Sequence, residues 1–178
     1  IIIFKDYIQN NNITRLLDLG CNTGKYSILA SDMGVNEIVA IDNDFDSLEI
    51  LEKNTKKNIF AINKNLALEI QNHNEKNFTN KYNCSGVIAF ALLHHLNITE
   101  NLPLEKIISY IVKNSNTGLI EFVSKDDPMV MSMIKVRDKN YEEYNLEKLK
   151  KIISCYCKIE KIHELTKSKR FIIEFKKY

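Results

Sequence analysis

At 178 residues, 44% of them hydrophobic, the chain can bury a substantial core, and with neither repeats nor a low-complexity linker to divide it, residues 1–178 read as one domain. Its formal net charge is only +2, with basic residues spread over amphipathic faces until Lys167, Lys169, Arg170, Lys176 and Lys177 gather near the end; a nucleic-acid reader would show a sustained basic stripe with interleaved aromatics, so that partner is not expected. No apolar run approaches the roughly 18 residues of a membrane span, and Lys5 and Asp6 follow Ile1-Ile2-Ile3-Phe4 too soon for a secretory signal, which predicts a cytoplasmic protein with no membrane partner.

In chain order, a helix over Phe4–Gln9 precedes a buried strand, Leu16–Leu19, and a glycine-containing turn leads into a helix over Lys25–Met33 with Gly34 as its stop. Glu37–Asp42 reads as a second strand. The helix through Phe45, Leu48 and Leu51 follows, with Asp44 and Asp46 serving as cap and dipole partners. Ile59–Asn65 is a third strand candidate, and the Asn-rich stretch from Gln71 to Asn83 a solvated loop or insertion. A fourth strand, Gly86–Leu92, comes before Pro103, which suits a first helical position, and before the i, i+3, i+4, i+7 stripe of Leu104, Ile107, Ile108 and Ile111. A turn is predicted at Asn116-Thr117-Gly118, then a fifth strand through Ile120–Val123. Leu146, Leu149, Ile152, Ile153 and Tyr156 mark a last helix; Lys158–Leu165 and Phe171–Phe175 read as two closing strands.

The most informative segment is Asp18-Leu19-Gly20-Cys21-Asn22-Thr23-Gly24, a strand, tight turn and helix start of the kind that places a ligand across a strand's carboxyl end. Gly20 permits a sharp turn at positive φ, and Gly24 lets the next helix begin close to the ligand. A dinucleotide fingerprint would need glycine where Asn22 and Lys25 stand. Asp18 points elsewhere: its carboxylate can hold turn amides and, through water, a cationic amino group, which S-adenosylmethionine offers and a pyrophosphate does not. Asp42, about 20 residues after the turn, is placed to accept a ribose diol.

These features resemble the class I S-adenosylmethionine-dependent methyltransferases. The resemblance implies an α/β, Rossmann-like three-layer sandwich around a seven-stranded, mostly parallel sheet with one antiparallel strand, and S-adenosyl-L-methionine as cofactor. It implies that Asn65, standing where family members usually carry Asp, accepts from the adenine amine beside Leu66, and that Cys21, Tyr26, Asn43 and Ala91 complete the cofactor set. Leu93-His94-His95-Leu96, Asn101-Leu102-Pro103-Leu104, Ile120–Val130, Arg137-Asp138 and Tyr141 look like a little-characterised bacterial group that includes nodulation host-specificity methyltransferases, in which such a domain follows additional upstream sequence. Starting at Ile1 instead of Met, this chain is expected to be either an excised domain or a chain lacking disordered leading residues.

Catalytic chemistry turns on the ends of the fourth and fifth strands. Leu92-Leu93-His94-His95 replaces the Asp/Asn-Pro-Pro-Tyr/Phe turn typical of base-amino methyltransferases. Imidazole, with a solution pKa of about 6.5, suits deprotonation of a hydroxyl acceptor, so His94 and His95 are the catalytic candidates; strand alternation turns only one toward the crevice, preferentially His95. The bland reading is that both merely cap the strand. Glu121, Lys125, Asp126 and Asp127 either meet a polar acceptor or divalent ion or, for Asp127 before Pro128, cap a helix, the favoured reading there. Met129, Met131 and Met133 form a pliable substrate wall or fill the core, and Arg137 clamps an anionic acceptor or pairs with Asp138 or Glu142. The four cysteines lack metal-ligand spacing and read as reduced structural thiols, with no metal expected. The activity expected is O-methylation of a small molecule or glycan intermediate; the alternatives are a non-catalytic cofactor-binding module and a protein or RNA methyltransferase.

Overall fold

The computed structural model describes residues 1–54, 56–72, 82–137, 141–165 and 169–178. Strands β1 (Arg15–Leu19), β2 (Glu37–Asp42), β3 (Ile59–Asn63), β4 (Cys84–Ala89), β5 (Ser115–Val123), β6 (Cys157–Leu165) and β7 (Arg170–Lys177) form one seven-stranded sheet in the order β3-β2-β1-β4-β5-β7-β6. The first five pair in parallel, while β7 runs antiparallel to both β5 and β6, so one strand is reversed, as expected. Helices α1 (Ile2–Asn10), α2 (Lys25–Asp32), α3 (Phe45–Lys53), α4 (Leu66–Gln71), α5 (Leu104–Lys113), α6 (Pro128–Lys135) and α7 (Leu146–Ser154) provide the outer layers, with a π-helical turn at His95–Thr99 after β4.

Successive strand residues supply opposite faces, and the apolar side chains divide accordingly. Leu16, Ile38, Ile88 and Leu119 pack with Phe4, Tyr7, Ala30 and Leu51 on one side. Leu17, Val39, Val87 and Ile120 pack with Ile108, Ile111, Leu149 and Ile153 on the other. The stripe predicted for α5 is buried in full, and burying each such Leu or Ile contributes about 1.5–3 kcal/mol. Side-chain caps open α3, α6 and α7: Asp44 accepts from Asp46, Asp127 from Met129 and Asn145 from Lys148.

The turn predicted at Asn116-Thr117-Gly118 is instead part of the first half of β5, with Asn116 exposed and Thr117 and Gly118 buried, these two paired with Gly86 and Val87 on one side and with Lys176 and Phe175 on the other. Gly118 is small for packing, not for turning: a Cβ there would lie 2.6 Å from Val87 and 2.7 Å from Phe175. Two other strands stop earlier than their apolar runs suggest. β3 ends at Asn63, leaving Asn65 to cap α4, and β4 ends at Ala89, freeing Phe90–Leu92 to turn over the sheet's end. The Asn-rich loop expected between Gln71 and Asn83 falls largely outside the described residues.

Candidate active site

Between β2 and β4, β1 sits where the direction of the strand order reverses, so connections leaving β1 and β4 diverge and open a crevice at their carboxyl ends. After β1 the turn runs through three positive-φ residues, Gly20 (73°), Asn22 (49°) and Gly24 (77°). Its amides are satisfied across the sheet: Gly20 and Cys21 donate to the Ile41 carbonyl at 2.9 and 3.1 Å, and Asn22 donates to Asp42 Oδ2 at 2.7 Å. A Cβ at Gly24 would overlap Leu51, so this glycine admits α3, where the sequence suggested close approach of a ligand.

Asp42 takes over part of the work expected of Asp18. Asp42, and not Asp18, holds a turn amide, and Asp42 Oδ1 also accepts from the Asp44 N–H at 3.0 Å. Asp18 is buried and accepts the Ser27 hydroxyl at 2.7 Å. Burial, with the nearby Asp42 charge adding to it against the Ser27 hydrogen bond, lifts its pKa to about 7.

A cavity of about 470 Å³ lies over this end of the sheet, within the size range of small-ligand sites. It brings together Gly20, Asn22, Asp42, Asn43, Asn65, Leu66, Ala91 and His95 of the expected residues. Asp18, Cys21, Gly24 and Tyr26 stand behind that lining: Cys21 is buried, and Tyr26 packs between Phe4 and Phe90 at ring-centroid distances of 5.2 and 4.5 Å. Asn65 lines the cavity while its side-chain oxygen accepts from the Leu68 N–H at 3.0 Å, which leaves that oxygen one further lone pair.

Besides Ala67, Phe90 and Leu92, sequence reasoning missed Lys64, Leu96, Thr99 and Glu100 in the same lining. Lys64 pairs with Glu69 at 2.6 Å. The other three arrive on or just after the π-helical turn, a rare geometry often found at functional sites, for which periodicity gives no signal.

His94 and His95 part company. His95 is exposed to the cavity, whereas His94 is fully buried, with neither ring nitrogen hydrogen-bonded among the described residues. Burial, reinforced by His95 and Arg170, depresses the His94 pKa to about 4, so it is neutral at physiological pH. The rings lie 4.3 Å apart between centroids.

A second cavity, of about 640 Å³, opens beside the ends of β5 and β7 and is lined by Glu121, Asp126, Asp127, Pro128, Leu165, Lys169 and Arg170. Asp127 performs the cap expected of it and also receives Arg170 Nε at 3.0 Å. Glu121 is turned inward, onto the Ala91 amide and Arg170. Lys125 is not part of either lining. Met129 and Met131 are exposed and Met133 packs on the core; Arg137 donates to the Met133 carbonyl at 2.6 Å, and its suggested partner Asp138 lies outside the described residues. Among the described residues no group of three or more His, Cys, Asp or Glu side chains is arranged to hold a metal, and no helix is long and apolar enough to cross a membrane.

The positive-φ turn, the carboxylate closing β2 and the pocket at the β1–β4 divergence define an α/β protein built around a nucleoside cofactor. More particularly, the chain belongs to a methyltransferase-domain family, whose pattern matches residues 10–171, and its cofactor is S-adenosylmethionine. It is 27% identical to nodulation protein NoeA of Rhizobium meliloti (strain 1021) over 97% of this chain and 38% of that one, and thus spans well under half of that relative. Among solved structures, TehB from Haemophilus influenzae superposes with a TM-score of 0.71 at 17% identity, covering 100% of this chain and 62% of that one. N-methyltransferase NodS from Bradyrhizobium japonicum WM9 does so with a TM-score of 0.67 at 10% identity, over 99% and 91%.

Proposed function

We propose that the domain transfers the methyl group of S-adenosylmethionine to a hydroxyl of a small molecule or glycan intermediate, in the cytoplasm, with 1–178 acting as one domain. The observation that carries this reading is the single cavity that holds the Asp42 carboxylate, the Gly20–Asn22 turn and the His95 imidazole together. In it, Asp42 accepts the ribose diol, Asn65 and Leu66 hold the adenine with Asn43 at the rim, Ala91 closes the pocket from β4, and Asp18 addresses the ammonium group from behind the turn. Cys21, Gly24 and Tyr26 shape the turn from beneath. The bound cofactor supplies an electrophilic methyl sulfonium, and much of the catalysis is the alignment of donor and acceptor.

His95 is the proposed base, because it reaches the cavity while His94 is enclosed and weakly basic. The second cavity is the proposed acceptor berth: Glu121 lines it and also touches Ala91 of the first, so the two adjoin through one side chain. Its charges are already paired among themselves, Glu121 and Asp127 with Arg170 and Asp126 with Lys169, which suits a polyhydroxylated, uncharged acceptor better than a polyanion. Transfer of label from radioactive cofactor to fractionated metabolites or oligosaccharides tests the reading, with thermal shift against S-adenosylmethionine and NAD as its companion. Stabilisation by the cofactor with no label passed to any hydroxyl acceptor would favour the non-catalytic module; label in protein or RNA would favour that alternative.

A further inference from the structure

Glu121 stands at the carboxyl end of β5, 8% exposed, between the two cavities. One carboxylate oxygen accepts the Ala91 N–H at 2.7 Å, and the other lies 3.5 Å from the Arg170 guanidinium, whose Nε donates to Asp127 at 3.0 Å. Ala91 has φ +49°, a left-handed conformation that the Cβ of an L residue disfavours. Such a residue persists where its surroundings over-determine it, and a charge-assisted hydrogen bond screened from water is a strong constraint. Ala91 also lies two residues past the end of β4, where the chain lines the cofactor cavity with Phe90 and Leu92, and Leu92 reaches to 3.0 Å from where a Cβ on Gly20 would stand.

We propose that Glu121 is a positioning residue: by gripping the Ala91 amide it keeps the Phe90–Leu92 rim of the S-adenosylmethionine pocket in its binding shape. The binding readout rests on the cofactor assignment; the backbone readout does not. Glu121→Ala removes charge and acceptor, Glu121→Gln keeps an acceptor oxygen, and Ala91→Gly removes the conformational conflict, because glycine enters positive φ freely.

Calorimetry with S-adenosylhomocysteine should show Glu121→Ala weakening affinity by about tenfold or more and Glu121→Gln by less than about threefold, the conservative change retaining a neutral hydrogen bond. In the Ala91→Gly background the Glu121→Ala loss should shrink to less than about threefold, the non-additivity expected of two directly coupled sites. In the ligand-free protein, the Ala91 amide proton should resonate downfield, then move upfield and exchange faster with solvent in Glu121→Gln, which also serves if Glu121→Ala fails to fold. An unmoved Ala91 amide in Glu121→Gln, or a Glu121→Ala loss as large in the Ala91→Gly background as in the wild-type one, would overturn the proposal. Wild-type protein that ignored S-adenosylhomocysteine would instead count against the cofactor assignment, with the amide resonance still deciding the role of Glu121.

Discussion

Asp42 Oδ2 accepts the Asn22 amide N–H at 2.7 Å, tying the end of β2 to the middle of the turn after β1. The same carboxylate takes the Asp44 N–H through Oδ1. A carboxylate offers about four lone-pair positions, so both oxygens can still accept from a diol while the turn stays fixed.

Asp42→Ala should therefore weaken S-adenosylhomocysteine by tenfold or more, through loss of charge-assisted hydrogen bonds worth roughly 1.5–3 kcal/mol each and of the turn's anchor. Far-UV circular dichroism should show the fold retained. Calorimetric affinity equal to wild type would remove Asp42 from the site.

Binding should also report the Asp18 proton. With its pKa lifted to about 7, Asp18 is largely protonated in the free protein at pH 6, and a cationic amino group nearby favours the ionised form. Ligand affinity should rise as pH increases through 7, with proton release on binding below that pH. Calorimetry in buffers of differing ionisation enthalpy measures the release; no release in wild type, or undiminished release in Asp18→Asn, would refute it.

Stability should carry two opposed slopes. The Asp18 pKa is raised from 3.8 to about 7, so its protonated form favours folding at low pH and that advantage is lost as pH climbs from 3.8 to 7. The His94 pKa is lowered from 6.5 to about 4, so its contribution is complete above 6.5 and lost as pH falls toward 4. Between pH 4 and 6.5 the two largely offset each other. Relative to wild type, Asp18→Asn should gain stability more steeply with rising pH in that window, and His94→Leu should lose it; urea unfolding at stepped pH decides, and parallel profiles would show that neither group titrates this way.

The histidines separate kinetically as well. His95→Ala should lower turnover by about 10²–10⁴-fold if it removes the acceptor's proton, with affinity for S-adenosylhomocysteine nearly unchanged. Loss of affinity with turnover intact would instead make His95 a wall of the nucleoside pocket.

How much of this was legible beforehand follows from how local each cause is. The alternation of strands and helices, the Gly20–Gly24 turn, the acid ending β2, the Asp44 and Asp127 caps and the apolar stripe of α5 are set by chemistry within a few residues, where propensity, capping and periodicity act. The sequence by itself determined the α/β class and the order of elements, because glycine, carboxylate and capping positions each carry a backbone requirement readable without neighbours, and its resemblance to the class I methyltransferases implied the cofactor. Only the tertiary structure decided that Asn116–Gly118 is strand, since the contacts that demand a small Gly118 come from β4 and β7. It alone decided which histidine reaches the cavity, since the π-helical turn interrupts both the strand and helix periods. It alone brought Glu121 to Ala91, 30 positions apart in the chain, because parallel pairing sets the ends of β4 and β5 side by side however long the connection between them.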